Sequence, residues 1–237
     1  MLDLLKHSFS YLKKSPQLII PAAIFFMIEN ILTAIDKSKA IFIYIIMSWF
    51  GNLFIQTLIA HATKSTHNEP MNIQSVITQT NRRFFPLIKT MLPISLLLIA
   101  IYIVLFSNIE SLNNPSSLSN TQSLYIIVSI VGLSFLKIIN DFLPIYIVIV
   151  DKGGFKTLKD GLHHMASHSR IIIRATLTLV SLSVLSLLIS IQALMIPIIG
   201  QAVLYSIIQG GRKTISYIFI SKLYLNLLNN KSIETTA

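Results

Sequence analysis

The chain has 237 residues, 53% of them hydrophobic and only 12% charged, where an ordinary soluble domain carries about 25% charged residues. Too few polar side chains are present to cover a soluble surface, and the apolar runs are continuous rather than alternating, which excludes a β-barrel and leaves helices as the spanning elements. A net charge of +10 would suggest nucleic acid in a soluble protein, but here Lys and Arg gather at the ends of apolar runs, so no nucleic-acid partner is expected. With no cysteine, disulfides, thiol catalysis and cysteine-ligated metals are excluded.

In chain order, Met1 to Gln17 is amphipathic: Leu5, Phe9 and Leu12 share a face, with Lys6, Lys13 and Lys14 off it. The first apolar run is Leu18 to Ile35; no small-residue cleavage site follows it, so it is read as an uncleaved insertion signal. Asp36 to Lys39 makes a tight turn into a second run, Ala40 to Ala60. A polar stretch, His61 to Arg83, follows; the amphipathic segment before the third run has a stripe of Ile73, Val76, Ile77 and Phe84, and that run spans Leu87 to Phe106. Ser107 to Gln122 reads as a solvated loop, and the fourth run is Leu124 to Val150. The basic segment Asp151 to Arg170 has a stripe of Phe155, Leu158, Leu162 and Met165, with Lys156, Lys159 and His163 on another face. From Ile171 an apolar stretch continues to Ile208 with Arg174 as its single charge.

That stretch divides best into a fifth span, Ile171 to Ile196, and a sixth, Ala202 to Leu225. The alternative ends the membrane part at Ile208 and lays Arg212 to Leu228 on the surface. The expected fold is therefore an all-α membrane protein, one domain over residues 1–237 with six transmembrane helices and amphipathic interfacial helices before spans 1, 3 and 5. Thirteen Lys and Arg then fall on one side and only Lys37 and Lys39 on the other. By the positive-inside rule both termini are cytoplasmic, and the location is the inner membrane. The basic interfacial helices are expected to meet anionic headgroups, the bilayer being the one partner the sequence names.

The unit of surface helix, outward span and inward span occurs three times, with KKSPQLI (Lys13 to Ile19), RRFFPLI (Arg82 to Ile88) and SHSRIII (Ser167 to Ile173) loosely aligned at its start. The segment Pro144 to Gly161 (PIYIVIVDKGGFKTLKDG) resembles six-helix membrane families of bacteria and archaea, in which a span ends near a proline and an acidic-Gly turn leads into a surface helix. Those families are similar to the membrane domain attached to some glycerophosphodiester phosphodiesterases. Gly161 stands near the position where they usually carry Ser, and no phosphodiesterase domain is present. The resemblance implies a fold and no activity.

Charges within spans are costly and mark functional hypotheses. They are Glu29, Lys137, Asp141, Arg212 and Lys213. At ~1.5 Å per residue, Asp141 lies roughly 13 Å and Arg212 about 20 Å from the inner ends of their spans. The expectation is that Asp141 neutralises Arg212, with Lys137 (i, i+4) as competing partner; the other reading of these charges is a polar pathway for a substrate or ion. Asn30, Asn52, Gln56, Asn140, Gln192, Gln201 and Gln209 add polar atoms to the spans. Pro144 removes a helical donor and frees the carbonyl of Asn140, giving either a kink or an ion ligand. His163, His164 and His168 lack the further Glu or Cys of a zinc site, so no metal is expected. Neither Gly153-Gly154 nor Gly210-Gly211 has phosphate-loop spacing, and no cofactor is expected.

These features favour a multi-pass, non-enzymatic inner-membrane protein acting in transport or as an envelope accessory component. The alternatives are the permease subunit of an ATP-driven exporter and, third, an intramembrane enzyme acting on lipid.

Overall fold

A computed structural model describes residues 1–34, 41–65, 72–107, 120–192 and 198–234. All its elements are helical, and no strand occurs among the described residues. In chain order they are α1 (Leu2–Lys14), a single 3-10 turn (Pro16–Leu18), α2 (Ile19–Ala34), α3 (Ile41–Ser65), α4 (Ile73–Ser107), α5 (Asn120–Val150), α6 (Phe155–Ser167), α7 (Ser169–Gln192) and α8 (Ile198–Glu234). Among the described residues, three stretches are long and apolar enough to cross a membrane: Ile73–Ile101, Val131–Val150 and Ser169–Ile191. A shorter apolar helix covers Pro16–Ile31. The chain is a helical membrane protein. The turn at Asp36 to Lys39, and residues 108–119 of the expected loop, lie outside the described residues.

Two elements differ from the sequence expectation. The amphipathic segment before the third span is not a separate helix; it runs unbroken into α4 through Pro86 and Pro93. Where no water competes for backbone groups, a helix tolerates the missing donors and stays continuous. The region Arg212 to Leu228 is likewise no surface helix. It belongs to α8, whose Ile215, Tyr217, Ile218, Phe219, Ile220, Leu223 and Tyr224 are all buried. A peripheral helix exposes one face, whereas five consecutive buried residues, Tyr217 to Ser221, require neighbours all round.

Those neighbours are α1, α2, α3, α5 and α7, which makes α8 the central helix. Its most extensive contact is with α2, running antiparallel. Lipid tails are as apolar as leucine, so helices associate through close packing and polar bonds rather than hydrophobic burial. The α2–α8 seam uses both. Gly210 sits on the backbone of Ala22 and Ala23, Thr214 Oγ1 reaches Leu18 O at 3.3 Å, and Asn30 Nδ2 donates to Ser206 Oγ at 3.2 Å. Ser206, Gly210 and Thr214 recur at intervals of four, on one helical face.

The short helices α1 and α6 are the separate amphipathic elements. On α1, Ser8 and Leu12 are buried while Phe9 is 46% exposed, and Tyr11 Oη donates to Ala62 O of α3 at 3.0 Å. On α6 the buried face holds Leu158, Gly161, His164 and Met165, but Phe155 points out of it. The turn before α6 has two positive-φ residues, Asp151 (φ 59°) and Gly154 (φ 94°). Asp tolerates the left-handed region better than most residues, and Arg83 grips the Asp151 carboxylate at 2.6 Å.

Candidate functional site

Polar contacts between helices gather around residues 206–213 of α8, which meet side chains of α2, α3 and α7. On α8, Arg212 donates from Nε to Gln209 Oε1 at 2.9 Å and from Nη1 to Ser183 Oγ of α7 at 2.7 Å. Gln209 in turn donates to Ser190 Oγ at 3.3 Å. Each serine passes its own proton back to its helix: Ser183 to Leu179 O, Ser186 to Ser183 O and Ser190 to Ser186 O. The α7–α8 interface is thus a hydroxyl ladder holding one guanidinium.

One residue on, Lys213 faces the opposite way. Its ammonium donates to Asn52 Oδ1 of α3 and lies 5.4 Å from the centroid of the Phe26 ring on α2, in cation–π range. Asn52 Nδ2 donates to Ser48 Oγ at 3.4 Å, so its amide is oriented with oxygen toward the lysine. Glu29 of α2 is 9% exposed. Among the described residues, none of Glu29, Arg212 and Lys213 forms an ion pair.

The pair expected between Asp141 and Arg212 does not form. Asp141 Oδ2 meets Lys137 Nζ at 3.1 Å, and that pair faces outward, with the lysine side chain 70% and the aspartate 30% exposed. The intrahelical partner needs no particular helix packing, and Arg212 is turned toward α7 instead. Asp141→Asn and Arg212→Gln should therefore cost stability additively. A double-mutant cycle read by denaturant unfolding in detergent checks this, and recovery in the double mutant would reinstate the pair.

At Pro144 the liberated carbonyl finds a donor: Gln56 Nε2 of α3 bonds Asn140 O at 3.2 Å. The helix at this proline is stitched to its neighbour, and the oxygen is engaged by an amide. Of the amides singled out in the sequence, Asn30, Asn52, Gln56 and Gln209 all enter interhelical or network bonds. The side chains of Gln192 and Gln201 lie outside the described ones. Ser183, Ser190 and Ser206 were not singled out, although Ser183, Ser186 and Ser190 share a helical face by spacing alone.

The histidines of α6 pack rather than converge. The His164 ring stacks on Tyr146 at 5.2 Å, lies 4.3 Å from His168 and is near Tyr224, while His168 Nδ1 contacts His164 O at 3.0 Å. His163 is exposed on the other face. No group of three or more His, Cys, Asp or Glu placed to hold a metal occurs among the described residues.

Near the Arg83–Asp151 ion pair, past the apolar part of α3, His61 is buried with no hydrogen-bond partner for Nε2 among the described residues. Burial first, then the cations Lys64 and Arg83, hold its pKa down at about 4, against a smaller opposing effect of Asp151. A histidine depressed in the fold binds its proton more readily when unfolded. Its contribution to stability is full above about pH 6.5 and is lost as pH falls toward 4. Unfolding midpoints should drop across that window, and His61→Gln should flatten the drop. An unchanged slope would mean His61 is solvated.

The fold and these contacts define a helical membrane protein with a cation-bearing polar network inside its bundle. Comparison with protein-family models, with curated proteins and with solved structures finds no match to this chain.

Proposed function

We propose that the chain is a six-span inner-membrane protein, both termini cytoplasmic, that acts in transport without catalysing a covalent reaction. The observation that carries this reading is the cation pair Arg212 and Lys213, each held by neutral side chains from a different helix, Ser183 and Asn52, without an ion pair among the described residues. A central membrane charge costs about 3 kcal/mol on insertion scales and more in simulation. Two adjacent ones with no carboxylate in ion-pair contact among the described residues are retained for a ligand that supplies negative charge on arrival. Neutral amides and hydroxyls hold the cations in place without quenching that charge. An anionic solute is accordingly the favoured cargo.

The test is reconstitution of the full chain into liposomes, with charge movement recorded on addition of chloride, phosphate, sulfate or succinate. At least one anion should give a current that Arg212→Gln and Lys213→Gln abolish. Folded protein that moves none of them sinks transport and leaves the envelope-accessory reading. Copurification of an ATPase in mild detergent would instead favour the exporter permease.

The six-span topology rests on the charge bias of thirteen to two. Reporter tags within residues 108–119 should read as external and tags after Ala237 as cytoplasmic. Both on one side would overturn it.

A further inference from the structure

A groove of about 460 Å³ lies between α4 and the turn joining α5 to α6, lined by Phe85, Pro86, Lys89, Pro93, Gly153 and Phe155 among others. Its walls follow from the sequence. Pro86 and Pro93 have no N–H to offer, so they present ring hydrocarbon. Gly153 adds no side chain, and Gly154 N donates to Thr90 Oγ1 at 3.1 Å, which pins the turn to α4. Phe85 and Phe155 are 72% and 76% exposed, more than any other aromatic side chain among the described residues. In water two such rings would be a liability; at a membrane boundary they are anchors.

The charge left unpaired at the groove is positive. Arg83 is committed to Asp151 at 2.6 Å, while Lys89 lines the groove and Lys152 and Lys156 flank its glycine turn, none of the three in an ion pair among the described residues. We propose that this groove binds one anionic phospholipid, its phosphate on the Lys89 ammonium and the upper part of a chain against Phe85 and Phe155. The proposal rests on the topology above, which puts this end of the bundle at the inner leaflet. It goes further by naming one site in place of a diffuse attraction between basic helices and anionic lipid. A soluble anion would leave both phenylalanines in water, and a choline headgroup would bring a second cation up to the lysines.

Native mass spectrometry of the full chain in mild detergent tests it, with dioleoyl phosphatidylglycerol and phosphatidylcholine as probes. One phosphatidylglycerol should bind at least tenfold more tightly than phosphatidylcholine. Lys89→Gln should weaken it by about tenfold, the loss of one charge-assisted hydrogen bond. Lys89→Arg should restore it, and Lys14→Gln on α1 should leave it unchanged. Lys89 is exposed, so these substitutions spare the core. Equal losses from Lys89→Gln and Lys14→Gln would reduce the site to surface electrostatics and overturn it. So would equal binding of the two lipids, or full displacement by glycerol phosphate. Binding in detergent is independent of leaflet, so a failed groove and a failed topology are told apart: only the second moves the reporter tags.

Discussion

Gly210→Val should leave almost no folded protein, while Gly211→Val should be tolerated. A Cβ at Gly210 would stand 2.7 Å from Ala23 N, 2.8 Å from Ala23 Cα and 3.1 Å from the carbonyl carbon of Ala22. These are backbone atoms, so no side-chain rotation relieves the clash and α2 must move as a body. Moving it stretches the Thr214–Leu18 and Asn30–Ser206 bonds of the same seam. Overpacking typically costs about 1–3 kcal/mol; a backbone contact on the largest helix pair should reach or exceed the top of that range. Gly211 has nothing within 4 Å of the same construction. Thermal melts by size-exclusion chromatography in detergent separate the two. Equal melting temperatures would mean the α2–α8 seam is misplaced.

The second large effect concerns Lys213. Its ammonium is satisfied by Asn52 and the Phe26 face. Asn52→Leu removes the only oxygen acceptor the described side chains give it, which should cost about 1.5–3 kcal/mol, the worth of a hydrogen bond to a charge. The charge itself stays behind in low dielectric, so the loss should sit at the upper end. Lys213→Met alone leaves only the neutral Asn52 Oδ1 without its donor and should cost less. Combined, Asn52→Leu with Lys213→Met should be more stable than Asn52→Leu alone. Strictly additive losses in a denaturant cycle would show that the ammonium is solvated through another route.

Helical membrane architecture was legible because hydrocarbon permits little else once apolar runs exceed spanning length. Boundaries were less so. The segment before Leu87 read as a separate surface helix, yet α4 continues through Pro86, because a proline's effect depends on whether water is present to replace the lost bond. The charged residues of the network were legible one at a time, since a charge inside an apolar run stands out wherever it sits. Their partners were not. Whether Arg212 meets Asp141 or Ser183 depends on which helix lies beside α8 and at what rotation, and a single chain encodes neither locally. The serines on α7 had the right spacing but an unremarkable composition, so only the neighbour reveals their use. For Pro144 the freed carbonyl was foreseeable; that Gln56 would fill it required α3 to be in place.

The central position of α8 bears on how the chain is made. It contacts α1, α2, α3, α5 and α7, and all of these precede it in order of synthesis. When they enter the bilayer their inward faces have no counterpart, and Asn30, Asn52 and Ser183 lack their α8 partners. The nascent bundle then lacks its central helix and is held by contacts such as α3–α4 and α4–α5. A ribosome paused before Ile198 would leave polar groups facing lipid for as long as the pause lasted. Biogenesis is therefore most exposed just before α8 emerges, when surveillance proteases and insertion chaperones would meet a bundle that still lacks its middle.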